Sequence, residues 1–309
     1  MQFFKKTNID FLSIRRKTYF ASLLIILLGL GSLAVRGIHF GIDFQGGTEI
    51  VLGFDKAPTI GEVRSALEPI GLSRSEIKYF GGGGDILIRT SEQEAGTAVG
   101  DNIKQAIQQR FSDRTFEVLK EDKIGPKIGK ELRRDATYAI VVALVAILGY
   151  IAIRFKFIYG VGAVLALFHD VLITLGILSL MDGLIPTLTL EITQEVIAAF
   201  LTLIGVSVND TVVVFDRIRE NLKIYRSMSL KEVVNKSLND TLSRTIITSG
   251  TLLITLLALM FIGGEVTRAF AFTLTVGLIT GTYSSIYIAS AVVLDWNLRR
   301  KKTKETGSK

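Results

Sequence analysis

Residues 157–181 read FIYGVGAVLALFHDVLITLGILSLM, and Asp170 is the only side chain among them that is charged at neutral pH. As a helix rising 1.5 Å per residue, this stretch is long enough to cross the roughly 30 Å hydrocarbon core of a bilayer. Stretches of similar character are 18–35, 136–153, 196–215, 245–264 and 269–294. The sequence therefore predicts a polytopic α-helical membrane protein with six transmembrane helices. It excludes a soluble enzyme, a collagen-like chain and a disordered tail.

The composition excludes several kinds of chemistry. The 309 residues are 49% hydrophobic and 21% charged, with a formal net charge of +7. The absence of cysteine excludes disulfides, thiolate metal sites and cysteine nucleophiles. The two histidines, His39 and His169, are too few for a histidine metal centre. We therefore expect no metal site.

Basic residues are unevenly distributed between the segments that flank the spans. The segments on one side contain 20 of them and are 1–17, 154–156, 217–244 and 299–309. The short loops on the other side, 182–195 and 263–268, contain only Arg268. Because positive residues remain cytoplasmic during insertion, we expect both termini in the cytoplasm and residues 37–134 outside. The basic excess then reflects topology and not binding to nucleic acid.

These observations divide the chain into segments. They are a cytoplasmic N-terminus (1–17), the first transmembrane helix (18–36), a periplasmic α+β domain (37–134), a five-helix transmembrane domain (135–295) and a basic cytoplasmic tail (296–309). A cytoplasmic interfacial helix is expected near 229–240, where Ser229 and Glu232 form a capping-box sequence. The alternative for 18–36 is a cleaved signal peptide. Its end, 32–36, offers no convincing small-residue cleavage site, which favours an anchor.

The segment 37–134 has mixed charges and short apolar runs. The predicted elements, in order, are strand 48–54, helix 59–70, strands 75–80 and 85–89, helix 95–111 and strand 115–119. This β-α-β-β-α-β order predicts a ferredoxin-like α+β sandwich. Residues 81–84 are all glycine and predict a hairpin turn; a phosphate cradle is disfavoured because no Walker lysine and no helix follow. We interpret the domain as a binding or coupling module.

Polar side chains inside the predicted spans are the candidate functional residues, because an intramembrane charge costs of order 3 kcal/mol or more. Asp210 lies in the fourth span with Ser207 one turn away, and Arg244 begins the fifth. His169 and Asp170 lie near the middle of the third. Each has a structural alternative. These are an interhelical hydrogen bond for Asp210, snorkelling to the headgroups for Arg244, and a static polar contact for the His169 and Asp170 pair.

Four motifs carry a resemblance to a known family. They are Phe40-Gly41-Ile42-Asp43-Phe44-Gln45-Gly46-Gly47-Thr48, Phe168-His169-Asp170-Val171, Asn209-Asp210-Thr211 with Asp216-Arg217-Ile218-Arg219-Glu220-Asn221, and Arg244-Thr245-Ile246-Ile247-Thr248-Ser249-Gly250-Thr251. In this order they resemble the SecF branch of the SecD/SecF family of bacterial protein-export membrane proteins. The resemblance covers about residues 36–295, nearly the whole chain.

The resemblance implies an accessory to the Sec translocon that pairs with a SecD-like subunit in a twelve-span assembly of the resistance-nodulation-division type. Such an assembly uses the proton-motive force to promote late steps of export across the bacterial inner membrane. The implied partners are the SecYEG translocon, YajC, exported unfolded polypeptides and the lipid bilayer, with no nucleic acid. The resemblance also implies no cofactor and no enzymatic activity. The implied proton-coupling residues are Asp210 and Arg244. Supporting polar residues are His169, Asp170, Ser207, Asn209 and Thr248.

The residues alone leave two other functions open. Asp170 and Asp210 would suit an intramembrane aspartic protease in which two carboxylates share a proton, although Val208-Asn209-Asp210 lacks the Gly-x-Gly-Asp pattern of presenilin-like enzymes. A passive assembly scaffold is the other alternative. The link between the third and fourth spans, at 181–195, is several residues longer than is usual in the family. The residue at which the fourth span starts is therefore not fixed by the resemblance.

Overall fold

The computed structural model describes residues 7–80, 84–92, 98–184, 190–263 and 265–306. The chain forms two compact units. The membrane unit contains Met1–Gly37, Ile140–Leu180 and Glu195–Lys309. The α+β unit contains Ile38–Ala139 together with Met181–Gln194. We call residues 181–194, which join the third span to the fourth, the connector.

Helices dominate the structure. They are α1 (Arg15–Arg36), α2 (Ile42–Gln45), α3 (Ile60–Leu67), α4 (Ala98–Arg110), α5 (Pro126–Arg154), α6 (Phe157–Met181), α7 (Gln194–Ile224), α8 (Leu230–Ile262), α9 (Glu265–Ser284) and α10 (Ser290–Thr306). The strands are β1 (Gly47–Phe54), β2 (Glu76–Phe80), β3 (Asp85–Thr90) and β4 (Phe116–Ile124). Short 3-10 turns occupy Phe11–Ile14 and Glu68–Ile70, and a π-helical segment at Ser285–Ala289 joins α9 to α10.

Six helical segments in the described residues are long and apolar enough to span a membrane, as predicted. They are Phe11–Arg36, Pro126–Arg154, Phe157–Met181, Gln194–Ile224, Leu230–Ile262 and Thr267–Arg300. In their most apolar stretches, the third, fourth and sixth spans bury 56%, 44% and 56% of their residues, against 17%, 6% and 11% for the first, second and fifth. The third, fourth and sixth spans therefore form the packed centre of the membrane unit.

A helix begins where the interfacial helix near 229–240 is expected, but it does not end before the fifth span. Ser229 caps a single helix of 33 residues, α8, which continues to Ile262. The predicted capping box is present, because the Ser229 hydroxyl accepts from the Glu232 N–H and the Glu232 carboxylate accepts from the Ser229 N–H at 2.8 Å. No glycine or proline occurs from Leu230 to Ser249, so nothing in the sequence ends the helix before the fifth span.

Small residues let neighbouring spans approach closely in the membrane unit. A Cβ atom on Gly29 of α1 would lie 2.6 Å from the Cα of Gly176 in α6. A Cβ atom on Gly281 of α9 would lie 3.1 Å from the Cβ of Ser207 in α7. Contacts of this kind are typical of tightly packed membrane helices. They bring polar side chains of four spans within hydrogen-bonding distance of one another.

The α+β unit contains one antiparallel sheet in the order β2-β3-β1-β4. Both α3 and α4 pack against one face of this sheet, and the buried core includes Ile50, Leu52, Val63, Leu67, Ile86, Ile88, Ile103 and Ile107. The order of strands and helices agrees with the predicted one. The short helix α2 was not predicted from the sequence, and β4 extends to Ile124, beyond its predicted end at 119.

The predicted glycine turn at 81–84 falls largely outside the described residues, which do not include 81–83. The flanking strands β2 and β3 pair antiparallel as far as Phe80 and Asp85. Gly84 has a φ of +85°, a backbone conformation that favours glycine. The pairing of the two strands is that of a hairpin.

Candidate functional site

Asp170 lies in α6 with its side chain fully buried. Its Oδ2 atom accepts hydrogen bonds from the Ser207 hydroxyl of α7 at 2.5 Å and from the Ser284 hydroxyl of α9 at 2.7 Å. Its Oδ1 atom lies 2.9 Å from Nδ1 of His169. Three helices therefore supply partners to one carboxylate, which offsets the cost of burying it.

A chain of hydrogen bonds continues from this carboxylate toward α1. Nε2 of His169 lies 2.9 Å from the Ser22 hydroxyl, which lies 3.1 Å from the Tyr283 hydroxyl. The Tyr283 hydroxyl donates to the Thr18 carbonyl at 3.0 Å, and its ring stacks on His169 with the ring centroids 5.7 Å apart. Imidazole and hydroxyl groups both donate and accept. The chain from Asp170 to Tyr283 is therefore one along which a proton can be exchanged.

Ser284 is the last residue before an irregular turn in the sixth span. Ser285–Ala289 is π-helical, and the Ser290 hydroxyl donates to the Ser285 carbonyl at 2.8 Å. A π-helical turn is wider than an α-helical one, and single turns of this kind are frequent at functional sites. The sixth span is therefore irregular next to the residue, Ser284, that bonds Asp170.

Asp210 lies one helical turn after Ser207 on α7 but has different surroundings. It is also buried, and among the described residues only the Ser249 hydroxyl of α8 donates to it, at 3.5 Å. That hydroxyl lies closer, at 2.9 Å, to the hydroxyl of Thr282 in α9. A separation of 3.5 Å is at the limit of hydrogen bonding. Asp210 is thus a buried carboxylate with a poorly stabilised charge, whereas Asp170 is a well stabilised one.

The other predicted site residues lie at varied positions. Arg244 is exposed on α8 and forms no ion pair with Asp210 in the described part of the chain, but its charge is near enough to attract that carboxylate. Thr248 is exposed and donates to the Arg244 carbonyl at 2.9 Å, and Asn209 is exposed on α7. The predicted residues that the structure gathers into one cluster are His169, Asp170 and Ser207.

Several hydroxyl groups that bond the two carboxylates, or bond the partners of those carboxylates, were not predicted from the sequence. They are Ser22, Ser249, Thr282, Tyr283 and Ser284. Single hydroxyl residues are common in apolar helices, so each gives a weak signal by itself. The run from Thr282 to Ser285 places four polar residues together in an otherwise apolar span, and this run could have identified the sixth span as a contributor.

The connector supplies a buried carboxylate to the α+β unit. Glu191 forms ion pairs with Arg89 of β3 at 2.7 Å and with Lys78 of β2 at 2.8 Å, and its side chain is 8% exposed. Arg89 also pairs with the buried Glu49 of β1 at 2.5 Å. Burial alone would raise the pKa of Glu191, but the hydrogen bonds and charges of Arg89 and Lys78 outweigh it and hold that pKa below its usual value. The ionised carboxylate therefore fastens the connector to the sheet.

The motif at 40–48 forms a second attachment for the connector. The Ile192 N–H donates to the His39 carbonyl at 2.8 Å, and the Gly41 N–H donates to the Ile192 carbonyl at 2.9 Å. A Cβ atom on Gly41 would lie 2.7 Å from Cγ2 of Thr193, so only glycine allows this close approach. The motif thus holds the connector through backbone hydrogen bonds.

Two further residues of the motif have structural roles. The carboxylate of Asp43 accepts from the Gln194 N–H at 2.9 Å, where α7 begins. Gly47 has a φ of +132°, and a Cβ atom there would collide with the Thr90 carbonyl oxygen at the end of β3. The first residue of α7 and the start of β1 therefore both depend on this short segment.

The arrangement of carboxylates limits the chemistry of the site. In the described part of the chain, Asp170 and Asp210 have separate partners and share no hydrogen bond, whereas an aspartic protease dyad shares one proton between two carboxylates. Within the described residues, no group of three or more His, Asp or Glu side chains is placed to hold a metal ion. The two carboxylates are therefore not arranged as the dyad of an aspartic protease.

The sequence and fold match proteins that are already characterised. The profile described as "Protein export membrane protein SecD/SecF, C-terminal" matches residues 103–299, and that of the "SecD/SecF GG Motif" matches residues 31–58. The protein translocase subunit SecF of Rhodothermus marinus is 48% identical over 97% of this chain and 96% of the relative. That of Desulfurispirillum indicum is 44% identical over 94% and 92%.

A solved structure also matches. The crystal structure of SecDF from Thermus thermophilus, described as a translocon-associated membrane protein, superposes with a TM-score of 0.82 at 38% identity. The superposition covers 94% of this chain but 39% of that one. The chain therefore spans about two fifths of the length of this structural relative.

Proposed function

Because this chain belongs to the SecD/SecF family of protein-export membrane proteins, we propose that it is an accessory subunit of the Sec translocase that uses the proton-motive force to promote late steps of export. Family membership supports the accessory role. The proton-driven step is supported by buried intramembrane carboxylates, which typically mark ion paths. The observation that carries the proposal is the contrast between Asp170, whose charge is well hydrogen-bonded, and Asp210, whose charge is not.

Asp210 is the proposed proton carrier. The one hydrogen bond that it accepts from the described residues is 3.5 Å long and stabilises neither protonation state strongly. Arg244 attracts the ionised form but not the neutral one. A change in the separation of these two residues is therefore coupled to a change in protonation. A charge that crosses the whole membrane supplies about 2.3 kcal/mol per 100 mV, enough to shift a conformational equilibrium appreciably.

Ser207 relates the two carboxylates mechanically. It donates to Asp170 of α6 and lies one turn before Asp210 on α7. A rotation or translation of α7 that alters the surroundings of Asp210 must also strain or break the bond to Asp170. We assign Asp170 the role of positioning α7 and α9. Hydrogen bonds from Asp170 to His169 and from His169 to Ser22 extend this network to α1.

The connector is the proposed link between proton binding and the α+β domain. The helix that carries Asp170 ends at Met181, and the helix that carries Asp210 begins at Gln194. Between these ends, Glu191 is paired with Arg89 of the sheet. A displacement of α6 or α7 acts on the connector through the covalent chain, and the ion pair passes it to β3. The domain would bind an exported unfolded polypeptide weakly, so that the polypeptide can be released in each cycle.

A second subunit completes the proposed assembly. The SecDF relative is a much longer chain, and the first, second and fifth spans here bury few of their apolar residues within the chain. We propose a SecD-like subunit as the other half, working beside the SecYEG translocon. The assembly would lie in the bacterial inner membrane with both termini in the cytoplasm and residues 37–134 in the periplasm.

Reconstitution of this chain with a SecD-like subunit and SecYEG in vesicles tests the proposal. We expect a proton-motive force to drive proton flux and to stimulate export, and Asp210→Asn to lose both. The matched control is Asp216→Asn, because Asp216 lies on the same helix, is partly exposed and pairs with Arg154. Export without proton flux in the unaltered protein would favour the passive scaffold. Cleavage of a peptide bond would identify a protease.

A further inference from the structure

A cavity of about 640 Å³ lies at the basic end of the membrane unit. It is bounded by the link between α5 and α6, the last turns of α7, the start of α8 and one residue of α10. The basic side chains that line it are Arg154, Lys156, Arg219 and Lys223. No acidic residue is among the described residues that line this cavity, which we call the basic pocket.

The charge of the basic pocket is largely uncompensated. Arg154 pairs with Asp216, which stands outside the lining, at 3.0 Å. In the described part of the chain, Lys156, Arg219 and Lys223 form no ion pair with a carboxylate. Clustered like charges repel one another, and they repel more strongly next to an apolar interior than in free solution. The pocket is therefore electrostatically suited to an anion.

The apolar residues beside the pocket indicate its depth in the membrane. Ile153 and Phe157, which flank the link between α5 and α6, are 91% and 77% exposed. In a membrane protein, such side chains face acyl chains, so Arg154 and Lys156, which lie between them in the sequence, are at headgroup level. The inner wall is rigid because Phe155 and Tyr159 are buried and pack edge-on against Phe215. A basic rim over an apolar wall matches an amphipathic ligand.

We infer that the basic pocket binds the phosphate headgroup of an anionic phospholipid. Its volume is in the range of sites for drug-sized ligands and is far larger than a single phosphate ion requires. Basic pockets between membrane helices on the cytoplasmic side are a recognised form of lipid site. A bound headgroup would hold Lys156, between α5 and α6, to Arg219 and Lys223 near the end of α7.

The single tryptophan makes this testable without a label. Trp296 is partly exposed and directly precedes Asn297, which lines the pocket. We would place the full chain in phosphatidylcholine bilayers that contain a minor fraction of phosphatidylglycerol with brominated acyl chains, and measure the quenching of Trp296 fluorescence. We expect more quenching than by the same fraction of brominated phosphatidylcholine. Equal quenching by the two lipids would overturn the inference.

Substitution separates the pocket from the general surface charge. In the variant Lys156→Gln, Arg219→Gln, Lys223→Gln, we expect quenching by the two brominated lipids to become equal. The control Arg16→Gln, Lys17→Gln, Arg226→Gln removes the same charge from the same side but outside the pocket, and should keep the excess. An equal loss in both variants would mean diffuse attraction to the bilayer and would refute the site.

Two further measurements decide the remaining outcomes. If the triple variant does not fold by circular dichroism, Arg219→Gln alone should still lower the excess quenching, and an unchanged excess would refute the site. Inorganic phosphate, added to the unaltered protein at constant ionic strength, should leave the excess unchanged. If phosphate abolishes it, the pocket selects the free ion and the lipid assignment is wrong.

Discussion

The carboxylate of Glu191 and the guanidinium of Arg89 lie 2.7 Å apart in a buried ion pair that joins the connector to β3. The same arginine pairs with Glu49 of β1, and Glu191 also pairs with Lys78 of β2, so the connector is attached to the central strand β3 and to its neighbour at the edge of the sheet. This attachment lies between the ends of the two helices that carry the intramembrane carboxylates. It is the feature of the α+β unit that the proposed coupling depends on most directly.

Glu191→Gln should loosen the connector. Removing one member of a buried ion pair costs about 3–5 kcal/mol, and we expect roughly 2 here because Glu49 still neutralises Arg89. Hydrogen exchange of the Ile192 amide in the full chain measures the change. Glu195→Gln is the matched control, since Glu195 forms no ion pair in the described residues. Unchanged protection of Ile192 in Glu191→Gln would contradict the attachment.

The attachment should also depend on pH. The pKa of Glu191 is lowered in the folded state from its ordinary value of 4.5, so the pair contributes fully above that value and is lost as pH falls through the lower, folded pKa. Protection of Ile192, corrected for intrinsic exchange rates, should be constant from neutral pH down to the ordinary carboxyl pKa of 4.5 and fall only at lower pH. Glu191→Gln should abolish this acid-dependent loss. A loss of protection near neutral pH would disprove the assignment.

Local sequence patterns predicted most helices and strands. The composition of the candidate site depends instead on contacts between residues that are far apart in the sequence. Apolar runs identified six spans because a bilayer demands them, and the capping box at Ser229 was correctly located. The helix that begins there is longer than predicted. Its first turns are polar, so in the sequence they look separate from the apolar fifth span. Asp170 and Asp210 are equivalent in the sequence. The two carboxylates differ in how many hydroxyl groups from other helices bond them. The role of Glu191 is visible only from its ion pair with Arg89.

The α+β domain should fold alone. Residues 40–128 contain the whole sheet, α3, α4 and their shared core, so we expect cooperative urea unfolding followed by circular dichroism. This fragment lacks the connector. Fusing residues 181–194 to its end by a flexible linker should raise the free energy of unfolding, and the same fusion with Glu191→Gln should raise it less. Gradual unfolding of 40–128 would show that the domain is not independent.

Gly47→Ala should destabilise this domain. Its φ of +132° and its contact with the Thr90 carbonyl leave no room for a Cβ atom, and we expect a loss of about 1–3 kcal/mol. Gly61→Ala is the matched control, because Gly61 lies in α3 with nothing within 4 Å of its added Cβ. Alanine there should be neutral or stabilise by up to about 1 kcal/mol. Similar urea midpoints for the two variants would contradict the steric argument.

The two intramembrane carboxylates should respond differently to the same substitution. Asp170→Asn replaces an oxygen of a carboxylate that has three close partners, and weakening this buried network should cost about 1–3 kcal/mol. Asp210→Asn removes only a 3.5 Å contact, so thermal unfolding of the full chain should hardly change. The amide at 210 preserves shape but cannot cycle a proton. We therefore expect Asp210→Asn to insert and to associate with a SecD-like subunit while losing stimulation of export by the proton-motive force.

These two measurements separate a structural role from a proton-carrying one. If Asp210→Asn lowers the unfolding temperature as much as Asp170→Asn does, the contact with Ser249 is structural. The loss of export is then explained by loss of stability and not by loss of a proton carrier. If Asp210→Asn is stable and exports normally, Asp210 does not carry the essential proton. Asp170 is then the remaining buried carboxylate described within the spans. The pattern that supports the proposal is a stable Asp210→Asn protein in which export no longer responds to the proton-motive force.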